Sequence, residues 1–375
     1  MAQSEVKVAV LGAAGTIAPA IIHDLAESPE VASMALLDLD ADKAKAVAAA
    51  HGGGKATAAA TDARDIQALA CALDGVDVLL NTASYRINLE AMRACLQAGC
   101  HYLDLGGLYW MTGRQLALGP EFERAGRLAV LGIGSSPGKT NLMAAESVRR
   151  LGGRTGSKSR RIDSIQVCAA GRDPAAPDDG RLRPPYAIQT LLDELTLEPV
   201  VLREGRPVQI EPLAPGGTVD YGDPIGEADT IYTLHSELAT FGASFGCQSA
   251  SFRLSLAPAL LERLRQLTYD VSPEVIDAAA RDAASPSNET VSVHLVRTRA
   301  VDGELLEARA VTRPYFGLGG SVVSTATPAA ACVRLFARGA LTATGAHPPE
   351  NCIDPPLMFA ELEQRGCTFT FTSSS

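Results

Sequence analysis

Paired cysteines at metal-ligand or redox spacing are missing from this chain. Eight cysteines occur, at Cys71, Cys95, Cys100, Cys168, Cys247, Cys332, Cys352 and Cys367, and no two form a CxxC pair. Most sit in apolar or helical settings, so they read as small buried hydrophobes rather than disulfide partners or zinc ligands, and no metal is expected. No apolar run reaches membrane-spanning length, so no membrane partner is expected. Residues 1–11 lack the basic and apolar regions of a signal peptide, which makes a cytoplasmic address the expectation. A clustered basic footprint is lacking too: 33 Lys and Arg residues are outnumbered by 43 Asp and Glu, spread along the chain. A nucleic-acid partner is therefore not expected.

What is present is ordinary for a globular enzyme. The 375 residues, 46% of them hydrophobic and 20% charged, allow two domains with separate cores. Strand-like runs at Val6–Leu11, Met34–Leu37, Val76–Asn81, His101–Leu105 and Leu128–Leu131 alternate with helical stretches at Ile17–Ala26, Asp42–Ala50, Ile66–Leu73, Asn88–Gln97 and Gln115–Arg124. Buried strands alternating with helices predict an α/β fold, a doubly wound parallel sheet covered on both faces, over residues 1–150.

The Gly-, Ser- and Arg-rich stretch Gly152–Arg161 reads as a loop into a second domain at 151–316. There Thr290–Val301 and Glu304–Thr312 alternate with period two around Asp302-Gly303, a strong hairpin signal. Helical segments at Ala187–Glu194, Pro258–Leu267 and Glu274–Ala284 complete an inserted α+β domain. Past Arg313 the chain turns Gly-rich and then helical at Pro328–Ala337, and residues 317–375 are expected to complete the first domain.

The sharpest chemical signal opens the chain. Val6–Leu11 runs into Gly12-Ala13-Ala14-Gly15-Thr16-Ile17-Ala18, a GxxGxxA turn between strand and helix. Gly12 permits the tight turn, Gly15 lets backbone approach a pyrophosphate, and Ala18 allows close helix–strand packing. Amides at Ala14, Gly15, Thr16 and Ile17 then face the phosphates at the positive end of the helix. About twenty residues on, the second strand ends at Asp38, a ribose ligand that repels a 2′-phosphate; no arginine follows it, so NAD is expected over NADP. Asp40 reads as the N-cap of the next helix. Asn81, Thr82 and Ala83 end the fourth strand and either run beside the coenzyme or cap the following helix.

Gly132–Thr140 mimics a phosphate loop and is rejected as one. The required early glycine is Ile133, and Pro137 removes an N–H donor.

His101-Tyr102-Leu103-Asp104-Leu105-Gly106-Gly107, then Glu123-Arg124-Ala125-Gly126, then Gly134 through Pro137-Gly138 to Asn141, resembles the saccharopine dehydrogenase-like family, and within it the lysine 6-dehydrogenase type. The resemblance continues through Pro184-Pro185-Tyr186 and Leu191-Leu192-Asp193-Glu194, to His347-Pro348-Pro349-Glu350 and Glu363-Gln364-Arg365-Gly366. It implies a Rossmann domain completed by the C-terminal segment and interrupted by a substrate and dimerisation domain, hydride transfer at a C–N bond, and a homodimer. The chain departs from several relatives in carrying Ser135-Ser136, rather than an acidic or aliphatic residue, before Pro137-Gly138; a serine cannot replace an acid in proton transfer.

Oxidising an amine calls for a base of near-neutral pKa and a group to hold the substrate's charge. Thr230–Thr240, if extended, places His235 and Glu237 on one face, and these are the catalytic candidates, with Thr240 a substrate contact; a solvated surface pair is the alternative. Tyr186 either lines the pocket or packs under a loop. Asp104 ends the fifth strand at the catalytic edge, or else caps the Gly106-Gly107 turn. His101 begins that strand, away from the ligand edge, His294 is expected to face solvent, and His347 to be structural. Glu350 carries the resemblance without an assigned role.

The expected function is an NAD-dependent amine dehydrogenase taking a small amine or basic amino acid. Alternatives are an imine-reducing synthase using Arg172, Arg181 or Arg183 to hold a carboxylate, an enzyme of the homospermidine synthase or cyclodeaminase kind that keeps its NAD, and a non-catalytic NAD-binding regulator.

Overall fold

The alternating apolar runs do form a parallel sheet. The structure, a computed structural model, describes residues 5–152, 161–177, 179, 181–269 and 271–374; residues 153–160 of the expected linking loop lie outside these. The chain divides into two units, one running up to Asn141 and including Thr325–Leu362, the other comprising Leu142–Ser324 and the residues from Glu363 on.

In the first unit β1 (Val6–Leu11), β2 (Val31–Asp38), β3 (Ala56–Ala60), β4 (Val78–Asn81), β5 (His101–Asp104) and β6 (Leu128–Val130) join Gly345–His347 in one sheet. Among the described residues it has seven strands, ordered Gly345–His347, β6, β5, β4, β1, β2, β3, and every pairing is parallel. β1 and β4 are central and almost wholly buried, which is why they read as continuous Val and Leu runs. Leu79, Leu11, Met92, Tyr102 and Phe122 share one core cluster, each worth about 1.5–3 kcal/mol of apolar burial. Two expectations are corrected here. The helix expected at Gln115–Arg124 is two, Leu108–Leu116 and Gly119–Arg124, since Pro120 suits only a helix's first turn. β3, with the sequence Ala-Thr-Ala-Ala-Ala, carried no apolar periodicity to reveal it.

The C-terminal return is held by buried charge. Arg334, at 2% exposure, meets Asp24 of the first helix at 3.0 Å and Glu361 at 2.7 Å. Arg338 bridges the same Glu361 at 2.5 Å and Glu30 at 2.7 Å. Removing one member would strand a buried charge. The return covers Thr325–Leu362 rather than 317–375, because the last strand, Cys367–Ser374, pairs with Leu305–Thr312 in the other unit's sheet.

That second sheet has Ile162–Arg172 at its centre, parallel to Ser249–Ser255 and antiparallel to Val291–Ala300. The hairpin of Val291–Ala300 with Leu305–Thr312 turns through Asp302-Gly303, with Gly303 at φ 96°. His294, expected to face solvent, is buried opposite Ala169 and Ala310. Val293 and Leu295 on the alternate face are buried as well; a strand covered on both faces has no solvent side for alternation to mark. No helix among the described residues is long and apolar enough to cross a membrane.

Candidate active site

Parallel strands place every β carboxyl end of the first unit on one edge, and the glycine turn lies there. Gly12, at φ 76°, donates its amide to Leu37 O at 2.8 Å, and Gly15 N donates to Gly12 O at 3.0 Å. A side chain on Gly12 would put its Cβ 2.7 Å from the backbone of Ala83. The turn is therefore pressed against the end of β4, where Thr82 donates both its amide (2.9 Å) and its hydroxyl (2.8 Å) to Leu11 O. The first helix, Ala18–Ala26, has no side-chain cap and Pro19 in its first turn. Among the described residues the amides of Thr16 and Ile17 have no hydrogen-bond partner. Bare amides at an uncapped positive helix end are what a diphosphate requires.

Asp38 stands against this turn: its Oδ2 accepts from the amide of Ala14 at 2.9 Å and its Oδ1 from that of Asp40 at 3.1 Å. Ala14's donor is thus occupied by Asp38. Asp40 caps the next helix, accepting from the amides of Asp42 and Lys43.

Asn81 does not offer its side chain to a ligand. It is buried, with Nδ2 donating to Asn88 (2.8 Å) and Tyr102 (3.2 Å) while Oδ1 accepts from Ala83 N (3.1 Å).

Asp104, a catalytic candidate from sequence, is a structural hub. Fully buried, it accepts from Gln115 Nε2 (2.6 Å), Gly132 N (2.7 Å), Tyr102 OH (2.9 Å), Gly106 N (2.9 Å) and Asn88 Nδ2 (3.1 Å). Burial raises its pKa against the pull of these donors. It pins the turns after β5 and β6 and has no exposed surface for chemistry. Lys139, within the rejected phosphate loop, is buried too.

In the second unit the extended reading of Thr230–Thr240 fails beyond Tyr232, where Glu227–Tyr232 ends and the chain turns into a short 3₁₀ segment, Ser236–Ala239. The turn nevertheless brings the expected pair together. His235 lies flat on Phe252, ring centroids 3.4 Å apart, with Nδ1 3.5 Å from Glu237 Oε2. Its other nitrogen, Nε2, is 3.6 Å from Glu194 Oε2. His235, Glu237 and Glu194 are all buried, so this is no solvated surface pair. Burial alone would lower the imidazole pKa, but Glu194 and then Glu237 outweigh it and raise it to about 9. Tyr186 donates to the same Glu194 oxygen at 2.5 Å; burial, and then that carboxylate, push its pKa well up. Thr240 is a turn residue, its hydroxyl donating to Glu237 O at 3.2 Å.

Glu194 escaped functional assignment from sequence. It lies in the helix Ile188–Thr196 at the spacing of Leu191 and Leu195, all three buried; a carboxylate on an apolar stripe is the signal that could have found it. The three arginine candidates are engaged elsewhere: Arg172 with Pro224 O, Arg181 with Asp282 O and Ala283 O, and Arg183 with Asp179.

Comparison with known proteins agrees with this layout. Residues 8–130 match the family described as saccharopine dehydrogenase NADP binding domain. Carboxyaminopropylagmatine dehydrogenase of Synechocystis sp. is 26% identical over 270 residues, covering 70% of this chain and only 65% of the relative's length. The apo, histidine-tagged saccharopine dehydrogenase (L-Glu forming) from Saccharomyces cerevisiae shares the fold, with a TM-score of 0.71 at 14% identity over 99% of this chain and 100% of that one. Residues 8–130 are thus similar to that family's NADP-binding domain, and the chain shares its overall fold with a saccharopine dehydrogenase.

Proposed function

We propose that the chain is an NAD-dependent oxidoreductase that acts on the C–N bond of a primary amine, in the manner of lysine 6-dehydrogenase. The coenzyme, when bound, supplies the hydride acceptor. Gly12 and Gly15 give it room, the amides of Thr16 and Ile17 hold its diphosphate, and Thr82 and Ala83 border it. Asp38 receives the ribose hydroxyls; although the matched family carries NADP in its description, a carboxylate here repels a 2′-phosphate and favours NAD.

The observation that carries the amine reading is the buried trio Glu194, His235 and Glu237. With the imidazole protonated, two carboxylates leave one net negative charge, complementary to an ammonium. Hydride leaves a carbon only once its nitrogen has a free lone pair. Only the imidazole that has first lost its own proton can act as the base; with a pKa of about 9 that neutral form is well matched to an amine and takes the ammonium proton with little energetic penalty. Loss of hydride then leaves an iminium, which water hydrolyses to aldehyde and ammonia.

One observation favours the reverse direction as a second reading: near neutral pH His235 is charged and suited to donating a proton to an imine under reduction. The likeness to carboxyaminopropylagmatine dehydrogenase supports an amine substrate in either direction. A homodimer is the assembly that the family resemblance supports. The test is NADH formation on diamines and basic amino acids, and NADH consumption on amines mixed with aldehydes or 2-oxo acids. No turnover in either direction defeats the proposal, and NAD that co-purifies without ever accumulating as NADH points to an enzyme that keeps its coenzyme.

A further inference from the structure

Two motifs distant in sequence, Gly134–Asn141 and His347–Glu350, meet through hydrogen bonds. Glu350 is buried, and its Oε2 accepts from Asn141 Nδ2 at 2.8 Å. Asn141, also buried, accepts at Oδ1 from Gly138 N at 2.8 Å. Asn141 is the third residue of the helix Lys139–Arg150, so its side chain reaches back to the amide just before the helix, as in a capping box.

The turn held in this way is very tight. Gly134 N donates to Pro137 O at 2.9 Å, and a Cβ on Gly138 would lie 2.4 Å from Gly134 O. Asp104 fixes its start through Gly132 N, and the hydroxyls of Ser135 and Ser136 are tied to Thr325 and Thr140. The turn follows β6, so it lies on the same sheet edge as Gly12 and Asp38. Asp38 ends the strand on one side of β1, whereas β4, β5 and β6 follow in order on the other. A dinucleotide whose adenosine ribose lies on Asp38 and whose diphosphate lies on the turn after β1 extends its other half towards β6.

We propose that Glu350 is a positioning residue for the coenzyme, acting through Asn141 to set the turn 132–138 beside the nicotinamide half. This rests on the coenzyme cleft assigned above. Burying a carboxylate is costly, and here one of its oxygens is committed to the amide that caps the helix after this turn. The turn it fixes borders the ligand edge, so an error there is felt by the ligand.

The test exploits the donor and acceptor order. Asn141→Asp sets two carboxylates against each other and weakens NAD binding by about tenfold or more. Adding Glu350→Gln to that variant supplies an amide donor in the opposite sense and restores binding to within a few-fold of the parent. Glu350→Gln alone still accepts from Asn141 and binds normally, whereas Glu350→Ala binds several-fold more weakly. Dissociation constants come from titration calorimetry of the intact chain, alongside melting temperatures without coenzyme and KM against kcat for NAD. Binding that follows the donor–acceptor order, with rescue in the double variant, supports the relay. If Asn141→Asp binds as the parent does, or the double variant as poorly as the single, the relay is wrong while the cleft stands. A parent chain that binds no coenzyme removes both.

Discussion

Glu194→Gln should move the pH at which amine oxidation reaches its plateau. His235 is charged below about 9, because burial, which opposes the charge, is outweighed by Glu194 and Glu237. The amine-oxidising form is the neutral imidazole, so kcat/KM of the parent rises tenfold per pH unit up to about 9 and levels off above it. Glu194 Oε2 lies 3.6 Å from Nε2. A unit charge at that separation interacts by roughly 4–5 kcal/mol at an effective dielectric near 20. Allowing about half of that for relaxation around the substitution, and about 1.4 kcal/mol per pH unit, the break falls by about 1.5 pH units. The profile of Glu194→Gln should therefore level off at about pH 7.5. Profiles for the best amine, read with an NMR titration of the His235 ring in the free protein, give two independent measures. The reasoning is refuted if both proteins break at the same pH, or if the ring titrates near the ordinary histidine value of about 6.5 in the parent.

The same cluster should register in stability. A histidine pKa raised from 6.5 to about 9 on folding stabilises fully below the lower value and loses that contribution as pH climbs through the upper one. Denaturant unfolding should lose about 3 kcal/mol between those pH values, and His235→Phe should abolish that loss. Asp38→Ala should weaken NAD about 10- to 100-fold by calorimetry while improving NADP, because the ribose acceptor and the 2′-phosphate repulsion leave together; unchanged preference contradicts the assignment. Asp104→Asn should lower stability by about 2–4 kcal/mol yet leave kcat of the folded protein and its pH profile nearly intact, since several fixed donors lose their shared acceptor; abolished turnover in stably folded protein would return Asp104 to the chemistry.

How much was legible follows the range of the interactions. Gly12 through Asp38 is a single local unit, and its turn, strand ends and helix start are written in contiguous residues. The Asp302-Gly303 hairpin is likewise a local device, with its turn chemistry between its own strands. β3 was hidden because alanine has little periodic contrast, and the break after Leu116 because the helical pattern runs on through it. His294 and the tail after Leu362 were misread for a common reason: which face is covered, and which sheet a strand joins, are decided by partners elsewhere in the chain. Arg334 with Asp24, some three hundred residues apart, belongs to the same class.

The candidate site poses the harder problem, because two buried carboxylates at plausible positions have opposite fates. Asp104 and Glu237 both follow apolar runs, and no local pattern separates them. The difference lies in what surrounds each oxygen. Asp104 is saturated by fixed backbone and side-chain donors, so its charge is spent on holding turns and nothing remains for a substrate. Around His235 the ring nitrogens stand 3.5 and 3.6 Å from their carboxylates, longer than a hydrogen bond between such groups. The buried hydroxyls of Thr233 and Ser236, on either side of it in sequence, have no partner among the described residues. Buried polar groups left with spare capacity carry a free-energy penalty unless something fills it. A hub with every donor and acceptor matched is a structural solution complete in itself, whereas a charged cluster with loose distances and idle hydroxyls is complete only with a polar guest.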